Sequence, residues 1–526
     1  MSKRLIQLPT HFSATAAVFL LALPWLNPFA PGPSPGVVPW LVALAGVTGL
    51  LWLAAVRLPY ANHQTPQTSR WTNVVAAAWL LAGLLSTAIA LLQYFGVAGG
   101  LGQWVNQTSF GEAFANLRQR NQFATLTNIA LAALLYVAVR ARHTPLSERT
   151  GHMALMMAAA SLLAIGNAVS SSRTGLFQLL LICGMYALWG GLRSLAVQRL
   201  LLCAVLVYCI SMFAAPWLAG LDAASYGAFA RLGKEEACSS RLILWSNVLH
   251  LIAQKPWLGW GWGELDFAHF ITLYNGPRFC DVLDNAHNLP LHLAVELGVP
   301  FALLVCGGFA WWVMLQKPWA ERDPTRQMAW TVMAVILLHS MLEYPLWYGP
   351  FQVAFGLCLV ILLRRPAAGT VGEHRSVYES NQPLAQYKRA QAAMLIIVSS
   401  FGLAAAAYAA WDYHRISQLY LAPESRNAAY RSDTLAKVRD SWLFSNQVQF
   451  AELMLTPLEP GNAVWTFEAA GDLLHYSPEP RVIEKRIEAA VLLGYDADAL
   501  EHLARYKAAF PAEHARWAKA NDRPAL

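Results

Sequence analysis

Two histidines in this sequence stand beside carboxylates and amides. In LLHSMLEYPLWYGPF (337–351), His339 ends an apolar run and Glu343 follows four residues later, a spacing that puts both on one helical face. In DNAHNLPLHLAVELG (284–298), His287 stands with Asp284, Asn285 and Asn288 ahead of another apolar run. A neutral imidazole can take a proton from a hydroxyl, and a nearby carboxylate can hold its tautomer or raise its basicity. His292, deeper in the same run, is read as a packing residue.

Arginines supply the second ingredient. NLRQRNQFATL (116–126) carries Arg118 and Arg120 ahead of an apolar segment. SSSRTGLF (170–177) sets Arg173 behind three serines, and CSSRLILW (238–245) places Arg241 at the head of an apolar stretch. Guanidinium groups, hydroxyls and free N–H groups at helix starts suit phosphate oxygens. Cations beside a histidine base fit a reaction in which a diphosphate leaves and guanidinium groups, instead of a metal, stabilise its charge. No metal or cofactor is expected. HExxH and CxxC are absent, the histidines are scattered, and Asp496 with Asp498 reads as helix capping. P-loop, GxGxxG and GxSxG motifs are absent too. His250 and His269 read as structural or interfacial.

The elements that must position these residues are membrane helices. The chain has 526 residues, 56% hydrophobic and 13% charged, well below the charge of a soluble protein. Apolar runs of spanning length recur at about 11–29, 37–57, 73–95, 122–140, 152–169, 174–191, 199–218, 289–315, 327–342, 349–364 and 391–411. The first, behind the basic MSKR, reads as an uncleaved anchor. Twenty-one tryptophans and eighteen tyrosines suit interfacial belts, and the net charge of +7 fits cytoplasmic loops without a nucleic-acid partner.

Lys and Arg in the short loops set the orientation. With the N-terminus inside, inner loops hold Arg57, Arg140, Arg193, Arg199, Lys317, Arg322, Arg364 and others, while the short loops at 30–36 and 343–348 hold none. Arg118, Arg120, Arg173 and the cations of the long loop, including Arg231, Lys234 and Arg241, then all face outside. An arginine near the bilayer is costly unless paired, so this gathering suggests an anionic ligand. His339, Glu343 and His287 lie on the same side.

The expected architecture is an all-α polytopic membrane protein with about eleven transmembrane helices. It divides into a seven-span bundle (1–218), a periplasmic loop with an amphipathic helix (219–288), four more spans (289–411) and a soluble periplasmic helical domain (412–526). On the amphipathic helix Trp245, Leu249 and Ile252 share an apolar face, and GWGWGE (259–264) reads as a flexible turn with two indoles for a sugar or the headgroups. GYDADALEHLARYKAAFP in the tail looks like half of a tetratricopeptide-type hairpin. Cys238 and Cys280 both lie in the loop, where an oxidising compartment permits a bridge.

SSSRTGLF, DNAHNLPLHLAVELGVP and LLHSMLEYPLWYGPF resemble motifs of the O-antigen ligase and polymerase superfamily, and NLRQRNQFATL resembles the signature of its pilin-type protein O-oligosaccharyltransferase branch. The resemblance covers most of residues 100–365, and the helical tail resembles that branch's C-terminal domain. A single displacement at such a site inverts the anomeric carbon, and the resemblance implies metal-free, en bloc transfer of an oligosaccharide from undecaprenyl diphosphate, in the bacterial inner membrane. The acceptor would be a Ser or Thr hydroxyl of a periplasmic protein such as a type IV pilin. The essential family histidine maps onto His339, the second histidine onto His287, and the diphosphate-contacting arginines onto Arg173 and Arg241. Arg118, Arg120 and Glu343 are carried over with them. Alternatives are an O-antigen ligase acting on lipid A–core, a polymerase using a second lipid-linked repeat, and a lipid-linked glycan transporter. Transporters show internal repeats and mid-span sites, and this sequence shows neither.

Overall fold

The computed structural model describes residues 10–57, 67–141, 146–221, 238, 240–364 and 382–521. Regular structure among them is helical throughout, without a strand. Among the described residues seven helices are long and apolar enough to cross a membrane: Val37–Arg57, Trp71–Tyr94, Arg120–Arg140, Thr150–Val169, Leu195–Leu218, Val299–Ala320 and Arg389–Tyr420. Three further expected spans are shorter apolar helices, Ala14–Leu26, Arg173–Leu188 and Gly349–Leu363, and the segment near 327–342 is the helix Pro324–Ser340. The chain is a multi-pass, all-helical membrane protein. Arg231 and Lys234 lie outside the described residues.

The chain packs as two compact units. The first comprises Met1–Gly233, Lys317–His339 and Pro345–Ala410; the second comprises Lys234–Gln316, Ser340–Tyr344 and Trp411–Leu526. In the first unit the helix Arg120–Arg140 is buried along almost its whole length. The helices Gln67–Tyr94, Leu146–Val169, Arg173–Leu188 and Leu195–Leu218 pack around it. Lipid supplies no hydrophobic drive between helices, so close packing and polar contacts must hold them. Both are present. A Cβ on Gly83 would come within 2.4 Å of the Ala130 Cβ, and one on Gly175 within 2.2 Å of the Asn167 Oδ1. Thr125 and Asn128 of the central helix, and Gln178 facing them, are buried polar residues.

In the second unit the helix Arg241–Gln254 buries Leu244, Val248 and Leu251 against Leu265, Phe279, Leu283 and Val295. Trp245 and Ile252 pack on the same core, but Leu249 points outward. The expected face is thus rotated onto the stripe of Leu244, Val248 and Leu251, whose i, i+4, i+7 spacing puts them on the side that this core covers. Cys238 and Cys280 form a disulfide, with a Cα–Cα distance of 5.4 Å. The tail helices Ser445–Leu455, Ala463–Leu474, Pro480–Leu492 and Asp496–Ala509 enclose a core of Leu453, Leu473, Ile483, Ile487 and Tyr506, completed by Phe270.

The eighth expected segment, 289–315, is broken. Helix Leu289–Leu297 stops at Gly298, whose φ of 89° is left-handed, and the apolar helix resumes at Val299. The loop before it causes the break. Val299 N–H donates to the Pro256 carbonyl at 2.8 Å, Trp260 N–H to Val295 at 2.9 Å and Gly261 N–H to Glu296 at 2.9 Å. A Cβ on Gly298 would lie 2.2 Å from the Trp257 carbonyl oxygen, so only glycine lets the two backbones meet. The GWGWGE turn is therefore pinned rather than flexible. Trp262 is exposed, while Trp260 lies under the Lys255 ammonium and donates its indole N–H to Leu251.

Candidate functional site

In the first unit the approach to Arg120 is an irregular turn held by two buried amides. Gln93 donates to the carbonyls of Asn106 (2.7 Å) and Ala115 (2.8 Å) and accepts from the N–H groups of Phe114 and Ala115. Asn116 donates to the Leu26 carbonyl at 2.8 Å. Ala115 and Arg118 consequently take positive φ values of 53° and 61°. The Arg118 guanidinium donates to the Pro28 carbonyl at 2.5 Å, and Arg120 is ion-paired with Glu112.

The serine turn comes next. Ser171 has φ 52°, and the Ser172 hydroxyl caps the helix Arg173–Leu188 by accepting from the Gly175 N–H at 3.0 Å. That hydroxyl donates to Asn121 Oδ1 at 2.6 Å, which ties the SSSR and RQRN stretches together. Arg173 opens the helix and is exposed. His339 is fully buried, with Nδ1 2.9 Å from the Thr125 hydroxyl and its ring edge-on to Phe351. A chain of contacts thus joins Ser172, Asn121, Thr125 and His339, drawn from three separate motifs.

The second unit holds the other cluster. Arg241 Nη2 lies 2.6 Å from Glu343 Oε1, and His287 Nδ1 lies 3.4 Å from Glu343 Oε2. Tyr344 meets the His287 ring edge-on with centroids 5.0 Å apart. His287 has φ 51°, and its N–H donates to Asn285 Oδ1 at 2.9 Å. Asn288 caps Leu289–Leu297 and donates to the Met341 carbonyl at 3.2 Å. The helix carrying His339 ends at Ser340, so Glu343 lies beyond it in a turn. The shared helical face expected for His339 and Glu343 is corrected accordingly. Helical spacing has no meaning past the helix end, and the carboxylate is directed by Arg241 and His287 instead.

Of the residues read from sequence, His339, Arg118, Arg120 and Arg173 fall in the first unit, and Arg241, His287 and Glu343 in the second. Three of the six non-glycine residues with positive φ among those described, Arg118, Ser171 and His287, lie in these motifs. Such strain persists where the surroundings over-determine it, and it gathers at functional sites. Sequence reasoning missed Gln93, Asn116, Glu112, Thr125, Asn128 and Gln178. For Gln93, Thr125, Asn128 and Gln178 a signal existed: polar residues inside segments otherwise apolar enough to span a membrane. No group of three or more His, Cys, Asp or Glu among the described residues is placed to hold a metal ion.

His292, expected to pack, is buried, with Nε2 3.4 Å from Glu296 Oε2. Burial raises the Glu296 carboxyl to about 7, against hydrogen bonds from the Gly263 and Leu265 backbone. Burial lowers His292 to about 4, and His287 adds to the fall. Burial also moves Asp266 up to about 7 and His269 down to about 3. The raised carboxyls stabilise the fold below their ordinary values of 4.5 and 3.8 and lose that contribution as pH rises through about 7. The lowered histidines stabilise it above 6.5 and lose that contribution as pH falls through about 4 and about 3. Between about pH 4.5 and 6.5 the opposing proton uptakes cancel, giving a plateau. Glu296→Gln should match the wild type at pH 4 and exceed it at pH 8 in thermal unfolding of the full chain. Parallel curves at both pH values would refute this.

Comparison with known proteins bears on what these clusters do. Residues 158–306 match the family model described as O-Antigen ligase, and residues 327–524 match "Virulence factor membrane-bound polymerase, C-terminal". Residues 113–137, which include Arg118, Arg120 and Thr125, match "Protein glycosylation ligase". Two Acinetobacter baylyi proteins are similar. One is a ComP-specific O-oligosaccharyltransferase, 26% identical over 253 residues, covering 47% of this chain and 43% of that protein. The other is a general O-oligosaccharyltransferase, 24% identical over 336 residues, covering 62% of this chain and 57% of that protein. The chain thus spans about half the length of the curated relatives it matches. No solved structure matches it. Over its matched segments the chain is similar to the O-antigen ligases, the membrane-bound polymerases and the protein glycosylation ligases, the superfamily to which its motifs point.

Proposed function

We propose that this protein is an inverting oligosaccharyltransferase of the bacterial inner membrane. It transfers a glycan en bloc from undecaprenyl diphosphate to a Ser or Thr hydroxyl of a periplasmic protein such as a pilin. The acceptor oxygen attacks the anomeric carbon as the bond from that carbon to the diphosphate oxygen breaks. The hydroxyl proton passes to His339, and the diphosphate leaves with the bonding electrons. Arg241 and Arg173 balance the charge that develops on it, with Arg118 and Arg120 as further cations at the helix start. Glu343 orients Arg241 and His287. The N-terminus is cytoplasmic, and the eleven helical segments act as spans. The tail is a periplasmic helical domain of tetratricopeptide-like hairpins that receives the acceptor.

The observation that carries this reading is the fully buried His339 held at Nδ1 by Thr125, a residue of the segment that matches the protein glycosylation ligases. The longer match to O-antigen ligases favours a second reading, in which lipid A–core is the acceptor. Co-expression with a pilin and a glycan pathway, followed by mass measurement of pilin and of lipopolysaccharide, separates the two. Glycan on pilin supports the first and glycan on lipid A–core alone supports the second. Arg173→Ala should raise the donor KM several-fold more than Arg193→Ala, which lies on the proposed cytoplasmic side. Equal effects in a transfer assay would remove the proposed orientation.

A further inference from the structure

Thr125 sits where three polar groups meet, and its hydroxyl has one proton to give. Its Oγ1 lies 2.8 Å from the Asn121 carbonyl oxygen, 2.8 Å from Gln178 Nε2 and 2.9 Å from His339 Nδ1. The Asn121 carbonyl only accepts, so it takes the hydroxyl proton. The Gln178 nitrogen only donates, and its neighbours fix which way the amide points. The same NH2 group donates to the Val335 carbonyl at 3.0 Å, and the amide oxygen accepts from Asn128 Nδ2 at 3.2 Å. Asn128 is oriented in turn, donating to the carbonyls of Ala124 and Gly175. One lone pair of Thr125 is used by Gln178, and the other faces His339. Nδ1 of His339 must therefore carry a hydrogen, which puts the basic lone pair of the neutral ring on Nε2.

We propose that Thr125 and Gln178 are positioning residues that set the tautomer of His339, so that Nε2 is the atom that receives the acceptor proton. This rests on the proposed function. Gln178 acts twice, because the Val335 carbonyl it binds belongs to the last full turn before His339. The same amide thus locks both the ring's partner and the helix that carries the ring. Thr125, Gln178 and His339 are all fully buried, so water does not compete for these bonds and the preference is strong. Thr125→Val keeps the volume and removes the acceptor, while Thr125→Ser keeps the acceptor.

The test has a spectroscopic and a kinetic arm, both on the full-length protein. With 15N-labelled histidine, and His339→Gln as the difference control, the wild type should show His339 protonated on Nδ1. Thr125→Val should move it toward the Nε2-protonated form. In the transfer assay Thr125→Val should lower kcat roughly 10–100-fold with donor and acceptor KM unchanged. Thr125→Ser should stay within about threefold of the wild type. A purely structural role would shift KM and melting temperature and leave the tautomer alone. A wild-type His339 protonated on Nε2 overturns the inference. Full transfer by Thr125→Val, with transfer lost in His339→Gln, also overturns it and leaves the proposed function standing. Full transfer by His339→Gln overturns His339 as the base within the proposed function, and the inference with it, while the transfer reaction itself stands.

Discussion

His339→Gln should lower glycan transfer by roughly 10²–10⁴-fold while the variant still inserts and unfolds at the wild-type temperature. That range is the usual contribution of a positioned proton acceptor. Glutamine is close in length to histidine and its amide can still donate to Thr125, so the buried contact survives and only the basic nitrogen is lost. Substrate binding should persist, so the fall should appear in kcat with KM little changed. The measurement is a timed transfer assay beside a melting curve. Transfer within threefold of the wild type would show that another group takes the proton.

Arg241→Ala should cost on two separate scales. Transfer should fall roughly 10²–10³-fold, the scale for removing one donor to developing charge. Stability should fall by about 1–3 kcal/mol, because Glu343, nine-tenths buried, loses its cation. That figure is kept low because the Arg241 side chain is 35% exposed and water screens the pair. The double variant Arg241→Leu with Glu343→Leu removes both charges and should recover most of the stability but none of the transfer. Melting temperatures and transfer rates of the single and double variants check this. Recovery of transfer in the double variant would make the pair structural only.

Much of this protein was legible in order along the chain. Period and composition are local properties, so the apolar segments and the helical tail followed from hydropathy. The serines ahead of Arg173 were legible as a helix entrance, but the cap at Ser172 came only with the structure. The motifs carrying Arg118, Arg173, Arg241, His287 and His339 were legible for the same reason. They are short runs whose chemistry is odd for a membrane edge. The break at Gly298 was not legible, because its cause is a loop some forty residues earlier whose backbone docks there. The turn after Ser340 was missed likewise. A helical spacing was extended past a helix end that the local sequence does not mark.

By itself the sequence determined the class of molecule, its repertoire of cations and bases, and the superfamily it resembles. Only the tertiary structure decided who partners whom. Glu343 serves Arg241 across 102 residues of chain and also meets His287, and Thr125 meets His339 across 214. Such pairings come from helices packed side by side in a medium where buried polar groups must find each other. A sequence states which groups need partners. Packing selects the partners, because most buried donors and acceptors are satisfied by whatever the neighbouring segment brings within about 3 Å.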